Sequence, residues 1–181
     1  MVTSIGGLIE RFYGELWNRW NDAAVEDTLS PGFTFRGSLG QERSGRQGWR
    51  QYRDLVSSGS ADFSNEIVDL VCEGRRAAAR LRYTGTHTGV LLGLPATQRR
   101  FEYAGAAFFT ADHQWLTSAW VLGDLDGLRR QLSRQPDGTG DRPADSVRSV
   151  LMIRWRLTPA GRQKRTRLAP DADIHPKDDD V

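Results

Sequence analysis

The segment Ala119–Leu132, AWVLGDLDGLRRQL, combines residue types and spacing that could do acid–base chemistry. Trp120 closes an apolar run that reads as a strand. Asp124 follows four residues later, just before a short amphipathic helix, Leu125–Leu132. A carboxylate at the mouth of an apolar pocket is dry enough for a shifted pKa and still able to meet a substrate. Asp124 is therefore the first candidate for a general acid or base. The same residue suits a second role, since an aspartate before a helix accepts hydrogen bonds from free backbone N–H groups. Asp126 reads as a solvated acid of the first helical turn.

A second cluster is Arg80–Gly89, RLRYTGTHTG. In strand alternation Arg80, Arg82 and Thr84 share one face. If that face lines a cavity, Arg82 could stabilise an oxyanion or orient Asp124; if it meets water, both arginines are surface charges. His87 stands where the strand gives way to a loop, either as a backbone-bonded turn histidine or as a proton shuttle at the pocket rim. Asp124, His87 and Arg82 together form the candidate catalytic set. No metal site is expected, because His87, His113 and His175 lack partners at ligand spacing. No cofactor is expected either, because the chain has no phosphate-binding glycine loop, no G-x-G-x-x-G and no G-x-S-x-G elbow.

These residues need elements to hold them. Ile5–Leu29 has helical spacing, with Leu8, Phe12, Leu16 and Trp20 on one face and Ile9, Tyr13 and Trp17 beside it. Ser4 can cap it, and Pro31-Gly32 would end it. Phe33–Arg36 reads as a short strand and Gly45–Ser58 as a second helix. Phe63–Glu73, Ala77–Thr88, Phe101–Thr110 and Leu116–Leu122 read as strands, with a polar turn at Ala111–Gln114. Helices first and long strands after predict an α+β cone, a curved antiparallel β-sheet whose N-terminal helices enclose a pocket. Most of the aromatic side chains belong to the core. Trp120, Tyr103, Phe35, Tyr13, Trp17, Tyr52 and Phe109 are the candidates for the pocket wall, and such a wall suits a flat or polycyclic ligand.

Composition narrows the function. The 181 residues carry 25 basic and 23 acidic side chains. Ten basic and eight acidic ones fall in 133–181, which leaves 15 of each in 1–132. A neutral body argues against a nucleic-acid reader, which needs a basic face. Five of the seven prolines also lie beyond residue 133, so 133–181 reads as a flexible C-terminal extension, interrupted by the apolar and basic run Val147–Leu157. The single cysteine, Cys72, reads as a small core residue. No apolar run approaches the ~20 residues that span a bilayer. A cytoplasmic protein without membrane partners is expected.

On the helix with LWNRWND, the strand FRGSLG, the start of the Gly45 helix, GTHTG followed by LGLPAT, and the terminal W-x3-D-x3-L-x2-Q-L of Trp120, Asp124, Leu128, Gln131 and Leu132, the chain resembles the SnoaL-like polyketide cyclases of the nuclear-transport-factor-2-like (NTF2-like) superfamily. The resemblance covers about Ile5–Leu132 and departs from the family's pattern at Ser60–Phe63 and Ser118. It implies an NTF2-like cone and cofactor-independent ring closure on a polyketide-type substrate in secondary metabolism such as antibiotic biosynthesis. The reaction implied is an intramolecular aldol condensation, with Asp124 in the position of the family's acid/base. It also implies a homodimer. Two alternatives stay open on the same fold, an epoxide-opening cyclase or hydrolase and a non-catalytic ligand-binding protein.

Overall fold

The computed structural model describes residues 4–134. The extension beyond Arg134, with Val147–Leu157 and His175, lies outside the described residues. The body is α+β. Helix α1 (Ile5–Arg11) runs into a π-helical turn at Phe12–Trp17, and a 3-10 turn at Asp22–Ala24 leads to the short α2 (Val25–Thr28). Strands β1 (Leu29–Arg36) and β2 (Glu42–Ser44) precede α3 (Gly45–Gly59). Then come β3 (Ser64–Glu73), β4 (Arg76–Thr86), β5 (Arg100–Ala111), β6 (Leu116–Gly123) and α4 (Leu125–Ser133). The six strands form one curved sheet in the order β2-β1-β6-β5-β4-β3.

The sheet is not wholly antiparallel. β1 pairs with β6 in parallel, Phe35 opposite Ala119 and Arg36 opposite Trp120. The chain reaches β1 from the first helices and β6 from the β5 turn, so the two strands enter the sheet from the same end. Pro31-Gly32 lies inside β1 rather than ending a helix, at a register irregularity between Leu29 and Thr34 where a missing N–H does no harm.

The helix expected over Ile5–Leu29 is broken. Ser4 caps it as anticipated, its hydroxyl accepting from the Gly7 N–H at 3.2 Å. Helical spacing continues through Trp17, but in the π turn the Asn18 N–H reaches back to the Tyr13 carbonyl, 2.9 Å. Trp20 then takes a left-handed φ of 54°, which no helix continues through. Asn18 is drawn out of the helix by β3: its side-chain amide donates to the Asn65 carbonyl and its carbonyl accepts from the Asn65 N–H, both at 2.8 Å. The polar side chain thus behaves as one more rung at the sheet edge.

Strand alternation sorts the rest. Leu81, Tyr83, Ala107, Phe109, Ala119 and Val121 are buried against the helices. Leu8, Ile9, Phe12 and Leu16 complete one continuous core with Phe33 and Trp49. Each such side chain contributes ~1.5–3 kcal/mol when fully buried. Cys72 differs from its expected place. It is exposed, because it lies near the free end of β3 at the sheet edge, where no strand covers it. Among the described residues no helix is long and apolar enough to cross a membrane.

Candidate active site

A cavity opens between the concave face of the sheet and the N-terminal helices, about 560 Å³ counting its open mouth. Phe12, Tyr13 and Trp17 come from the first helical segment, Phe35 from β1, and Tyr52 and Val56 from α3. Asn65 comes from β3, Tyr83 from β4, Tyr103 from β5 and Val121 from β6, and α4 closes one side with Leu125 and Leu128. Of the seven side chains expected on the wall, Tyr13, Trp17, Phe35, Tyr52 and Tyr103 are there.

The chain has four tyrosines, and all four line this cavity. Tyr83 lies between Phe63 and Tyr103, ring centroids 5.8 Å and 4.8 Å away. Two glycines make room for the rings. A Cβ at Gly105 would stand 2.4 Å from the Tyr83 ring and 2.6 Å from the Leu122 carbonyl oxygen. A Cβ at Gly37 would stand 2.1 Å from Tyr52 Cζ. The rings therefore rest directly on backbone, which a larger residue would not permit. The Tyr52 hydroxyl accepts from the Leu39 N–H at 3.3 Å. Burial is the main reason that all four phenols have raised pKa values. Each stays a neutral hydroxyl at physiological pH, able to donate but not to act as a phenolate base.

The three candidate catalytic residues are not brought together around this space. Arg82 points to the outer face of the sheet, where its Nε donates to Glu66 across β3–β4 at 2.7 Å. This settles the alternation: with Arg80 and Arg82 outward, Leu81 and Tyr83 face in. His87 is fully buried but does not line the cavity. Its Nδ1 lies 3.0 Å from Thr97 Oγ1, and its Nε2 has no partner among the described residues. The GTHTG segment works as a clasp. The Thr86 N–H and hydroxyl donate to the Asp62 carboxylate at 2.6 and 2.7 Å, and the Thr88 and Gly89 N–H groups both donate to the Gly59 carbonyl at 3.0 Å. Those hydrogen bonds, led by the Thr86 hydroxyl, hold the Asp62 carboxyl below its usual range. The clasp ties the end of β4 to the α3–β3 turn, next to cavity residues Phe63 and Leu91.

Asp124 stands beside the cavity without lining it. It is exposed, and its Oδ1 accepts from the Gly127 N–H at 2.8 Å, capping α4. Its own N–H donates to the Ala104 carbonyl at 3.0 Å, and its neighbour Leu125 is a wall residue. Trp120 is also off the wall. It is 40% exposed on the outer face, against Phe108 at 5.9 Å and under the Arg36 guanidinium at 5.3 Å. Phe109 is a core residue packed on Phe12 and Tyr13, centroids 5.8 and 6.0 Å away. The remainder of the terminal motif is structural. Gln131 both accepts from the Glu102 N–H (3.1 Å) and donates to its carbonyl (2.8 Å), and so fixes α4 to β5.

Sequence reasoning missed Tyr83, Asn65 and Leu39 on the wall. Tyr83 had a signal, since it alternates with Arg82; nothing local marks Asn65 or Leu39. Among the described residues no group of three His, Cys, Asp or Glu side chains is placed to hold a metal ion.

A family model described as SnoaL-like polyketide cyclase matches residues 7–132. A protein of Jannaschia sp. CCS1, provisionally named a SnoaL-like polyketide cyclase, superposes with a TM-score of 0.66 at 19% identity, over 71% of this chain and 91% of that one. TsrD from Streptomyces laurentii superposes with a TM-score of 0.63 at 29% identity, over 71% and 94%. IdmH from Streptomyces antibioticus, provisionally named a polyketide cyclase, gives 0.64 at 21% identity, over 71% and 98%. No curated protein matches the chain.

Proposed function

Since the chain belongs to the SnoaL-like polyketide cyclase family, we propose that it closes a ring on a flat, largely apolar polyketide-type substrate held in the tyrosine-lined cavity. The observation that carries this reading is the wall itself: rings from both helices and sheet, and hydroxyls as its titratable groups. Such a wall binds aromatic area and addresses carbonyl oxygens.

The reaction is an intramolecular aldol closure. A proton flanked by two carbonyls is acidic enough for a carboxylate to remove. The carbanion attacks a ketone carbon, a carbon–carbon bond forms, and the resulting alkoxide takes the proton back. Atoms and charge balance without a co-reactant. Asp124 is the acid/base of this proposal. It lies between the wall residues Val121 and Leu125, at the junction of β6 and α4. Its bond to Gly127 orients it, and rotation about its Cα–Cβ bond would turn an oxygen to a substrate at the mouth.

The test is turnover of a linear aromatic polycarbonyl ester to a ring-closed isomer of equal mass. Asp124→Asn is expected to reduce the rate roughly 100-fold. Its melting temperature should not change, because asparagine caps a helix as well as aspartate. Unchanged turnover would remove Asp124 from the mechanism. Label from heavy water-oxygen in the product would replace ring closure by hydrolysis, as in epoxide opening.

The same proposal includes a homodimer built on the outer sheet face, where Phe108, Trp120 and Leu122 are exposed on the same face as Arg82 and Glu66. An apolar patch flanked by both charge signs can meet its own copy across a two-fold axis. Light scattering should give twice the chain mass, and a monomeric mass at micromolar concentration would overturn it.

A further inference from the structure

Among the described residues, two buried polar atoms of the cavity wall have no partner. The Tyr13 and Tyr83 hydroxyls are buried, and neither reaches a hydrogen bond. An unpaired buried hydroxyl carries its full desolvation cost, so natural folds rarely keep two side by side. These two are neighbours, and their hydroxyls stop short of hydrogen-bond geometry with each other. Neither ring can swing away to find water. Tyr13 is wedged against Phe12 and Phe109 at 5.1 and 6.0 Å, and Tyr83 between Phe63 and Tyr103. Both side chains line the cavity, and among the described residues no arginine, lysine or histidine lines it with them.

We propose that the Tyr13 and Tyr83 hydroxyls form a two-donor clamp for one carbonyl oxygen, as ketone or enolate, at the leading end of a flat aromatic ligand. The clamp rests on the reading of this cavity as the substrate site. Two donors suit an oxygen with two lone pairs, and fixed donors stabilise charge that develops on that oxygen as a proton leaves carbon. A carboxylate would bring a full charge to a wall without a cation, so the clamp selects against acids. Because both phenols keep their protons, they donate throughout and leave proton abstraction to another group. The two tyrosines are thus assigned to substrate binding and enolate stabilisation, and neither acts as base.

Three probes of one shape test this on the full chain: 2-acetonaphthone with a ketone, 2-ethylnaphthalene with none, and 2-naphthoate with a carboxylate. The ketone should bind more tightly than the hydrocarbon, and the carboxylate most weakly. The ketone's C=O stretch should fall in frequency on binding. Tyr13→Phe and Tyr83→Phe should each weaken the ketone roughly three- to tenfold and leave the hydrocarbon unchanged or tighter. Each should also move the bound C=O stretch back up. An affinity and a stretch that are the same in wild type and both variants would overturn the clamp, as would naphthoate binding as tightly as the ketone. If 2-ethylnaphthalene still binds in that case, the substrate cavity stands and only the clamp falls. If none of the three binds, both fall. Melting temperature supplies the folding control. Each phenylalanine removes an unpaired polar atom, so both variants should melt at or above the wild-type temperature. A clear drop would reveal a structural partner for the hydroxyl and overturn the proposal.

Discussion

The two faces of one sheet differ completely in chemistry, although their residues alternate along the same strands. The inner face carries Tyr83, Phe109 and Val121, and their immediate neighbours Arg82, Phe108 and Trp120 stand on the outer face. Inside there are rings, glycines and unpaired hydroxyls; outside there are an Arg82–Glu66 pair and a tryptophan under a guanidinium. A shift of one residue separates a site from a surface. Residue type is therefore a poor guide to role here: phenylalanines 108 and 109 are chemically identical and share nothing in environment.

Truncation should divide the faces most sharply. Phe109→Ala should cost ~3–5 kcal/mol in chemical denaturation, because it opens a hole between Phe12 and Tyr13. Phe108→Ala, half-exposed, should stay within ~1 kcal/mol. Equal losses would mean that the outer face is covered in solution. Next in size is Gly105→Ala, expected to cost ~1–3 kcal/mol because its methyl group meets the Leu122 backbone oxygen, which cannot move aside alone. Gly14→Ala meets nothing within 4 Å and should be neutral or slightly stabilising.

Alkaline titration gives a graded test. Below pH ~10 the phenols are neutral in the folded and the unfolded chain, so stability is intact. Above it the unfolded chain ionises its tyrosines while the folded chain resists, so stability falls as pH rises. Because every tyrosine is in the cavity, the near-ultraviolet phenolate signal should be absent near pH 10 and then appear together with unfolding. A smooth titration centred near pH 10 would contradict the buried wall. The smallest effect belongs to Arg82→Gln. Its ion pair with Glu66 is exposed on both sides and screened by water, so stability should barely move in chemical denaturation, and ring closure should not change.

Much of the architecture was legible. β-favouring composition between turn signals located β3 to β6, and helical spacing located α3 and α4 nearly to the residue. The break after Trp17 was not legible, because it depends on Asn18 finding Asn65 forty-seven positions away. The parallel β1–β6 pairing is likewise a long-range outcome with no local mark. At the site, five of seven wall aromatics were identified from their place on amphipathic elements. Trp120 failed because large apolar residues on a sheet can face either way. Arg82 and His87 failed differently: Arg82 is the outward neighbour of Tyr83, the group that does reach the cavity, and His87 belongs to the clasp that follows β4. The capping role of Asp124 was readable from its position alone, whereas its distance from the wall was not.

The π turn at Phe12–Trp17 sets the angular phase of the whole N-terminal segment. It accommodates one residue more than an α-helix of the same rise would, so Leu8 and Ile9 upstream and Tyr13 and Trp17 downstream all meet the interior. Rewinding the turn as α-helix with every residue kept would turn everything before it by about 100°, whereas removing one residue, such as Gly14, would restore an α-helix of the same rise and phase. In the first case Leu8 and Ile9 would sweep toward solvent while Trp17 stayed in place. The first helix resembles a key cut one notch long: its fit depends on a count of residues, and the π turn is where the extra one is stored.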